Sequence, residues 1–326
     1  MKRPFATLLA AMLFVGACIH SMSSAAAQDW PNKPVRVVVP FAAGGSTDVG
    51  ARVIAQRLGE VFGQQFIVEN RVGAGGTIGT DTVAKAAPDG YTIMMGTTTT
   101  HGAVKSVYKN LPYDPVKDFV PIAYYCDVQA LIVVHPSVPA NDLAGFIAYL
   151  KANPKKVNYG SAGVGASQHM FAALFEARAG VEMQHIPYRG GGPAMVGLLA
   201  NDVQAIFAPL SEAGGNLAGK TSKPIAVLGK KRLAQFPNVT AMAEVLPNYE
   251  LPNWNGLFAP AGTPPEIVRR ITAEVTKAVQ TESIRNRLIE IGFEPVGGPA
   301  EQLDAAVKRA LEIYPEVVKI SGVTVQ

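Results

Sequence analysis

The groups in this sequence best placed to do chemistry are main-chain amides. Pro40-Phe41-Ala42-Ala43-Gly44-Gly45-Ser46-Thr47-Asp48 ends one β-branched run and opens a helix-patterned segment. Gly160-Ser161-Ala162-Gly163-Val164-Gly165-Ala166-Ser167-Gln168-His169 does the same after Val157-Asn158-Tyr159. A helix N-terminus offers unpaired N–H groups and about half a positive charge. Glycine lets a ligand approach the backbone closely, and open α/β sheets bind ligands at the carboxyl ends of their strands. Two such turns facing one another would hold a small anion. The first would use Ala43, Gly44, Gly45, Ser46, Thr47 and Asp48, and the second Ser161, Gly163, Gly165, Ala166 and Ser167. A charge-assisted hydrogen bond contributes roughly 1.5–3 kcal/mol, and micromolar affinity needs about 8 kcal/mol. Four to six backbone donors therefore suffice without a buried arginine. One such turn alone reads as a tight βα connection, whereas a matching pair shifts the reading toward binding.

Other candidates are weaker singly. Thr98 and Thr99, in the run Thr97–His101, follow a strand and either line the same cleft or form a polar surface turn. His185-Ile186-Pro187-Tyr188-Arg189-Gly190-Gly191-Gly192-Pro193 is a third strand-end turn, bringing Tyr188 and Gly191, and Ala208 ends another strand. Asp48 reads best in a structural role, capping its own helix or fixing the glycine loop, and Trp254 reads as core or as a wall over a ligand. Nucleotide-loop, Rossmann, nucleophile-elbow and zincin motifs do not occur, and the histidines lack metal-ligand spacing. No cofactor is implied. A triad assembled from distant residues would leave no such motif, so a secreted α/β enzyme stays as the alternative reading.

The elements that must position these turns alternate. Val35–Val39, Phe66–Val68 and Tyr91–Met95 read as strands, and Ile54, Leu58, Val61 and Phe62 form one helical face. After Pro139 come a helix over 142–152, a strand at Val157–Tyr159 and a helix with Met170, Phe171, Leu174 and Phe175 on one face. Strands near 183–187, 203–208 and 224–228 follow. Asn255–Pro260 is strand-like, a helix starts at Pro264-Pro265 with Ile267, Ile271, Val275 and Val279 on one stripe, and a last helix carries Leu303, Val307 and Leu311. The pattern predicts two α/β units with mostly parallel sheets flanked by helices. Phe119–Val134 and Leu251–Phe258 would cross between them, permitting closure about a cleft. The expected units are residues 28–127 plus 255–326, and 128–254.

Charged residues are 17% and hydrophobic ones 48%, which excludes a disordered chain. The net charge of +4 is too even for a dedicated nucleic-acid binder. Residues 1–27 read as a secretory signal peptide: Lys2 and Arg3, an apolar stretch from Phe5 to Ile19, then Ser23-Ser24-Ala25-Ala26-Ala27 before polar Gln28. Acylation at Cys18 is the competing leader reading. The expected product is a soluble protein outside the cytoplasm with one thiol, Cys126, expected to be a buried small hydrophobe.

Several segments resemble the substrate-binding receptors of tripartite tricarboxylate transporters, the Bug family. They are the Trp30-Pro31-Asn32-Lys33-Pro34 start, the PFAAGGSTD turn, Glu69-Asn70-Arg71 with GAGG, Pro88-Asp89-Gly90-Tyr91, YGSAGVGASQH, HIPYRGGGPA and WNGLFAPAGTP. The resemblance implies a two-domain, Venus-flytrap binding protein that captures a small carboxylate and delivers it to membrane permease subunits, as a monomer without nucleic acid. It also implies that the loops matching 42–48 and 161–169 grip a ligand carboxylate through backbone groups and bridging water. Two departures stand out. Ala166 occupies a position where the family often has Ser or Thr. The acidic or amide residue usual in the loop near Ala208–Ser211 is not evident there, although Glu212 is close.

Overall fold

The structure is a computed structural model and describes residues 30–247, 249 and 251–323. The leader, with the expected cleavage after Ala27 and the Cys18 alternative, lies outside the described residues.

The strands are β1 (Val35–Val39), β2 (Phe66–Asn70), β3 (Thr92–Thr97), β4 (Phe119–Val128), β5 (Ala130–Val134), β6 (Asn158–Ser161), β7 (Gln184–Pro187), β8 (Ala205–Pro209), β9 (Lys223–Val227), β10 (Trp254–Pro260) and β11 (Phe293–Gly298). The helices are α1 (Ser46–Phe62), α2 (Thr77–Ala84), α3 (Val104–Val107), α4 (Leu143–Ala152), α5 (Ser167–Ala179), α6 (Gly191–Leu199), α7 (Leu210–Ala218), α8 (Met242–Val245), α9 (Pro265–Gln280), α10 (Glu282–Glu290) and α11 (Ala300–Ser321).

Two sheets form, in the orders β11-β4-β10-β3-β1-β2 and β7-β6-β8-β5-β9. Most strands of each run one way, as expected, but both sheets are mixed. β10 is antiparallel to β3 and β4, β11 is antiparallel to β4, and β5 is antiparallel to β8 and β9. The reversed strands β5 and β10 are the ones through which the chain enters a sheet from the other lobe. The crossings are tight: only Gln129 separates β4 from β5. Val128 N donates to Asn253 O at 2.7 Å and Asn253 Nδ2 donates to Val128 O at 2.9 Å, so the outgoing and returning chains pair at the crossing.

Alternation along the strands sorts side chains onto two faces. Val35, Val37 and Val39 join an outer cluster with Ile54, Leu58, Ile271 and Val275. Leu131, Val133, Ile206 and Ala208 join the outer cluster of the second lobe, under Met195 and Leu198. The inward residues Val38, Met94, Ile132 and Phe207 belong to one cluster that runs through both lobes. Helix α11 stitches it together, burying Leu303, Val307, Ala310 and Tyr314. Leu311, expected on that stripe, is only partly buried, because the buried row steps from 307 to 310 and 314. Cys126 and Trp254 are core, 0% and 2% exposed. Among the described residues, no helix is long and apolar enough to cross a membrane.

Leu303 is 0% exposed and lies against Gly256 of β10. Leu303→Ala should lower unfolding stability by about 3 kcal/mol, the usual cost of a buried leucine cavity. Urea denaturation checks this; a change below 1 kcal/mol would mean that α11 is not integral to the core.

Candidate functional site

The N-termini of α1 and α5 open onto one cavity between the lobes, lined by Gly45, Ser46, Thr47 and Thr99 from one side and by Ala166, Ser167, Gln168, Gly191 and Glu212 from the other. Its volume of about 30 Å³ is room for a water or two. A second cavity of about 280 Å³ adjoins it, sharing Phe41 and Ala162, with Gly163, Tyr108, Tyr188 and Arg189 on its walls.

The two helix ends are capped reciprocally across the lobes. Ser46 N, the first amide of α1, donates to Glu212 Oε1 of the opposite lobe at 2.9 Å. Ser167 N, the first amide of α5, donates to Thr99 Oγ1 at 3.1 Å. Gln168 Nε2 donates to Glu212 Oε2 at 2.7 Å. The next amides of each helix, Thr47 and Asp48, and Gln168 and His169, have no intrahelical acceptor. They are the donors an anion would meet. Glu212 is enclosed by protein while keeping some exposed surface. Burial pushes its carboxyl up to about 7, partly offset by the bonds from Ser46 and Gln168.

Gly45, Ser46, Thr47, Thr99, Ala166, Ser167 and Gly191, all expected in the site, line the small cavity. Gly163 and Tyr188 line the second. The others stand behind these walls. Asp48 accepts from Gly44 N at 3.0 Å and from Asn70 Nδ2 at 2.9 Å, and pairs with Arg52, so it fixes the glycine loop; the helix start itself has no side-chain cap. Burial alone would raise its carboxyl, but these bonds hold it below the usual range. Ala43 and Gly44 are exposed. Gly44, at φ +80°, has open space where a Cβ would stand. Gly44 and Gly163 (φ +132°) therefore serve backbone conformation more directly than ligand approach. Thr98 Oγ1 accepts from Trp254 N at 2.8 Å, which ties the threonine run to β10, and Ala208 is wholly buried in β8. Glu212, Gln168, Asn253 and Asn255 line the cavity without having been singled out as site residues. Glu212 comes from 166 residues beyond Ser46, so no local spacing connects them.

Beneath the second turn lies a histidine scaffold. Ser161 Oγ is 2.6 Å from His185 Nε2, Gly165 N donates to His169 Nδ1 at 3.0 Å, and the two imidazoles stack at 3.9 Å. Burial pushes His169 down to about 3, helped by His185, and pushes His185 down to about 4. Ser161 and Gly165 are thus tied to this scaffold. Among the described residues, no group of three or more His, Cys, Asp or Glu could hold a metal ion.

Comparison with known proteins places the geometry in context. Residues 50–322 match the family described as tripartite tricarboxylate transporter family receptor. Protein BugT of Bordetella pertussis is 34% identical over 298 residues, covering 91% of this chain and 91% of its own. The solved structure of R. palustris Rpa4515 with adipate superposes with a TM-score of 0.89 at 35% identity, over 91% of this chain and 99% of its own. The periplasmic binding protein BugD gives 0.87 at 34% identity, over 91% and 100%.

The histidine scaffold makes a pH prediction. An unfolded histidine titrates near 6.5, so between pH 6.5 and about 4 the unfolded chain binds protons that His169 and His185 refuse when folded. Their contribution to stability is full above pH 6.5 and is lost as pH falls through that window. Glu212, raised in the fold, acts with the opposite sign between about 4.5 and 7, so the comparison must be with a histidine variant. Thermal melts of His185→Gln should lose less stability than wild type between pH 6.5 and 4; parallel curves would refute the assignment.

Proposed function

The chain belongs to the tripartite tricarboxylate transporter receptor family, and on that premise we propose that it captures a small organic carboxylate between its lobes and hands it to the membrane permease subunits of such a transporter. The observation that carries this reading is the pair of helix N-termini meeting at one cavity from opposite lobes. Each supplies two further amides and about half a positive charge. Carboxylate oxygens taking four such bonds at about 2 kcal/mol each reach micromolar affinity. A bound adipate in the Rpa4515 structure supports this ligand class.

In this reading the lobes are residues 28–127 plus 255–326, and 128–254, with α11 resting on both. The grip comes from Gly45, Ser46, Thr47, Thr99, Ala166, Ser167 and Gly191. Asp48, Gly44, Ser161, Gly165, Thr98 and Ala208 hold it in shape, and Gly163 and Tyr188 flank the adjoining cavity. The protein acts as a monomer in the periplasm, released there by cleavage after Ala27. The family is one of receptors, and the cargo leaves chemically unchanged. An enzyme in the same cleft is the less favoured alternative.

Gly45 has an extended backbone that any residue adopts (φ −76°, ψ 164°), and a Cβ there would lie 3.3 Å from Ala42 O, which must give by a few tenths of an ångström, and 3.5 Å from Glu212 Oε1. Gly45→Val should therefore keep the melting temperature within a few degrees and weaken binding at least 100-fold. A thermal-shift screen of carboxylic acids, adipate included, followed by calorimetry on the hit checks this. Wild-type affinity in the variant would move the site elsewhere, and conversion of the recovered ligand, read by mass spectrometry, would favour the enzyme.

A further inference from the structure

Among the described residues Glu212 is the one charged side chain lining the cavity, and it is acidic where two helix N-termini favour an anion. Its carboxylate already rests on the N-terminal amide of α1 through Ser46 N. An arriving ligand carboxylate that takes the neighbouring amides comes close to it. Two carboxylates in such proximity do not both stay ionised without large cost.

Gln168 sharpens the point. It is 2% exposed. A carboxylate only accepts hydrogen bonds, so the contact between Gln168 Nε2 and Glu212 fixes the amide's orientation and points Oε1 away. That oxygen is buried without a hydrogen-bond partner. A carboxylate accepts about four hydrogen bonds, and the protein supplies Glu212 with two, from Ser46 and Gln168. Spare acceptor capacity therefore lies on Glu212 at the cavity and on the buried Oε1 of Gln168 within its wall, and among the described residues no basic side chain lines the cavity.

We infer that Glu212 and Gln168 form an ammonium subsite, and that the ligand is a small zwitterion whose protonated amine sits beside the carboxylate held by the helix ends. An ammonium brings three donors and no acceptor, which matches the spare acceptors and screens the ligand carboxylate from Glu212. The inference rests on the carboxylate reading above and narrows its ligand class.

The test is calorimetry at pH 7.5 on the full mature chain with matched acids: propionate and alanine, succinate and aspartate, glutarate and glutamate, adipate and 2-aminoadipate. The amino member of at least one pair should bind at least tenfold more tightly than its bare partner. Glu212→Gln should weaken that amino member tenfold or more while leaving or raising the affinity of the bare acid. A Gly191→Ala Cβ would stand 2.2–2.4 Å from the Glu212 carboxyl and push that flexible group aside without removing its charge. It should reproduce the loss, with a melting temperature that shows the fold intact. Bare acids binding as tightly as amino acids throughout would overturn the inference and leave the carboxylate reading standing. So would a bare acid that binds with uptake of one proton, measured in buffers of different ionisation enthalpy, because Glu212 would then be the protonated partner. No binding by any member of any pair would overturn the carboxylate reading and this inference with it.

Discussion

Each lobe completes the backbone hydrogen bonding of the other at the cleft. A helix start cannot bury its first amides unpaired without losing roughly 1–3 kcal/mol apiece. In an open cleft, water meets that need. When the lobes meet, water leaves and acceptors must replace it, and here they come from the opposing lobe: Glu212 for Ser46 and Thr99 for Ser167. The amides behind them remain for a ligand. Closure and anion capture therefore draw on the same group of donors, and a ligand that satisfies the second and third amides of both helices favours the closed arrangement over the open one.

The sheets make this meeting possible. β5 and β10 enter their sheets reversed because each arrives from the other lobe, and the two connections pair at Val128 and Asn253. That pairing lies at the cleft floor, where Val128 and Asn253 also line the cavity. The outer cores, one around Ile54 and Ile271 and the other around Ile206 and Leu198, lie within one lobe each apart from Val128 at the crossing. They can travel as bodies. The inner cluster cannot, because it joins Val38 and Met94 to Ile132 and Phe207. With α11 spanning both sides of that cluster, a cleft that opens must do so by rotation about the inner core rather than by separation of the lobes.

Much of this was legible in the sequence, and the reasons differ by feature. Runs such as Val35–Val39 announce a strand covered on both faces, and the glycine turns announce a backbone held close to a helix start. Both signals are local. Strand direction is not: nothing in Trp254–Pro260 distinguishes a strand inserted backwards from one that continues the parallel order. β11 and α10 escaped because Phe293–Gly298 contains Pro and two Gly, and the buried face of Glu282–Glu290 reduces to Leu288. Within the site, the turns were visible but the division of labour was not. Asp48, whose structural role was already the favoured reading, holds Gly44, and Ser161 meets His185, a partner 24 residues away that no local spacing indicates. The acid that matters at the cleft, Glu212, lies one turn into α7 rather than in the loop before it, and only the closed lobes bring it to Ser46.

The charge of the cleft follows from these parts. Two helix N-termini contribute about half a positive charge each. One ionised Glu212 offsets both, so the cavity is close to neutral as it stands, and its pairing with Ser46 and Gln168 compensates only part of the desolvation that pushes its carboxyl up to about 7. Adding a bare carboxylate would leave an uncompensated negative charge in a largely protein-lined space, which proteins normally avoid by taking up a proton or a counter-charge. Adding a molecule that carries both signs keeps the sum near zero while filling donors and acceptors alike. Among the described residues the small cavity has no basic side chain on its wall, while Arg189 lines the adjoining cavity, so Glu212 sets the charge that a ligand of the small cavity has to match.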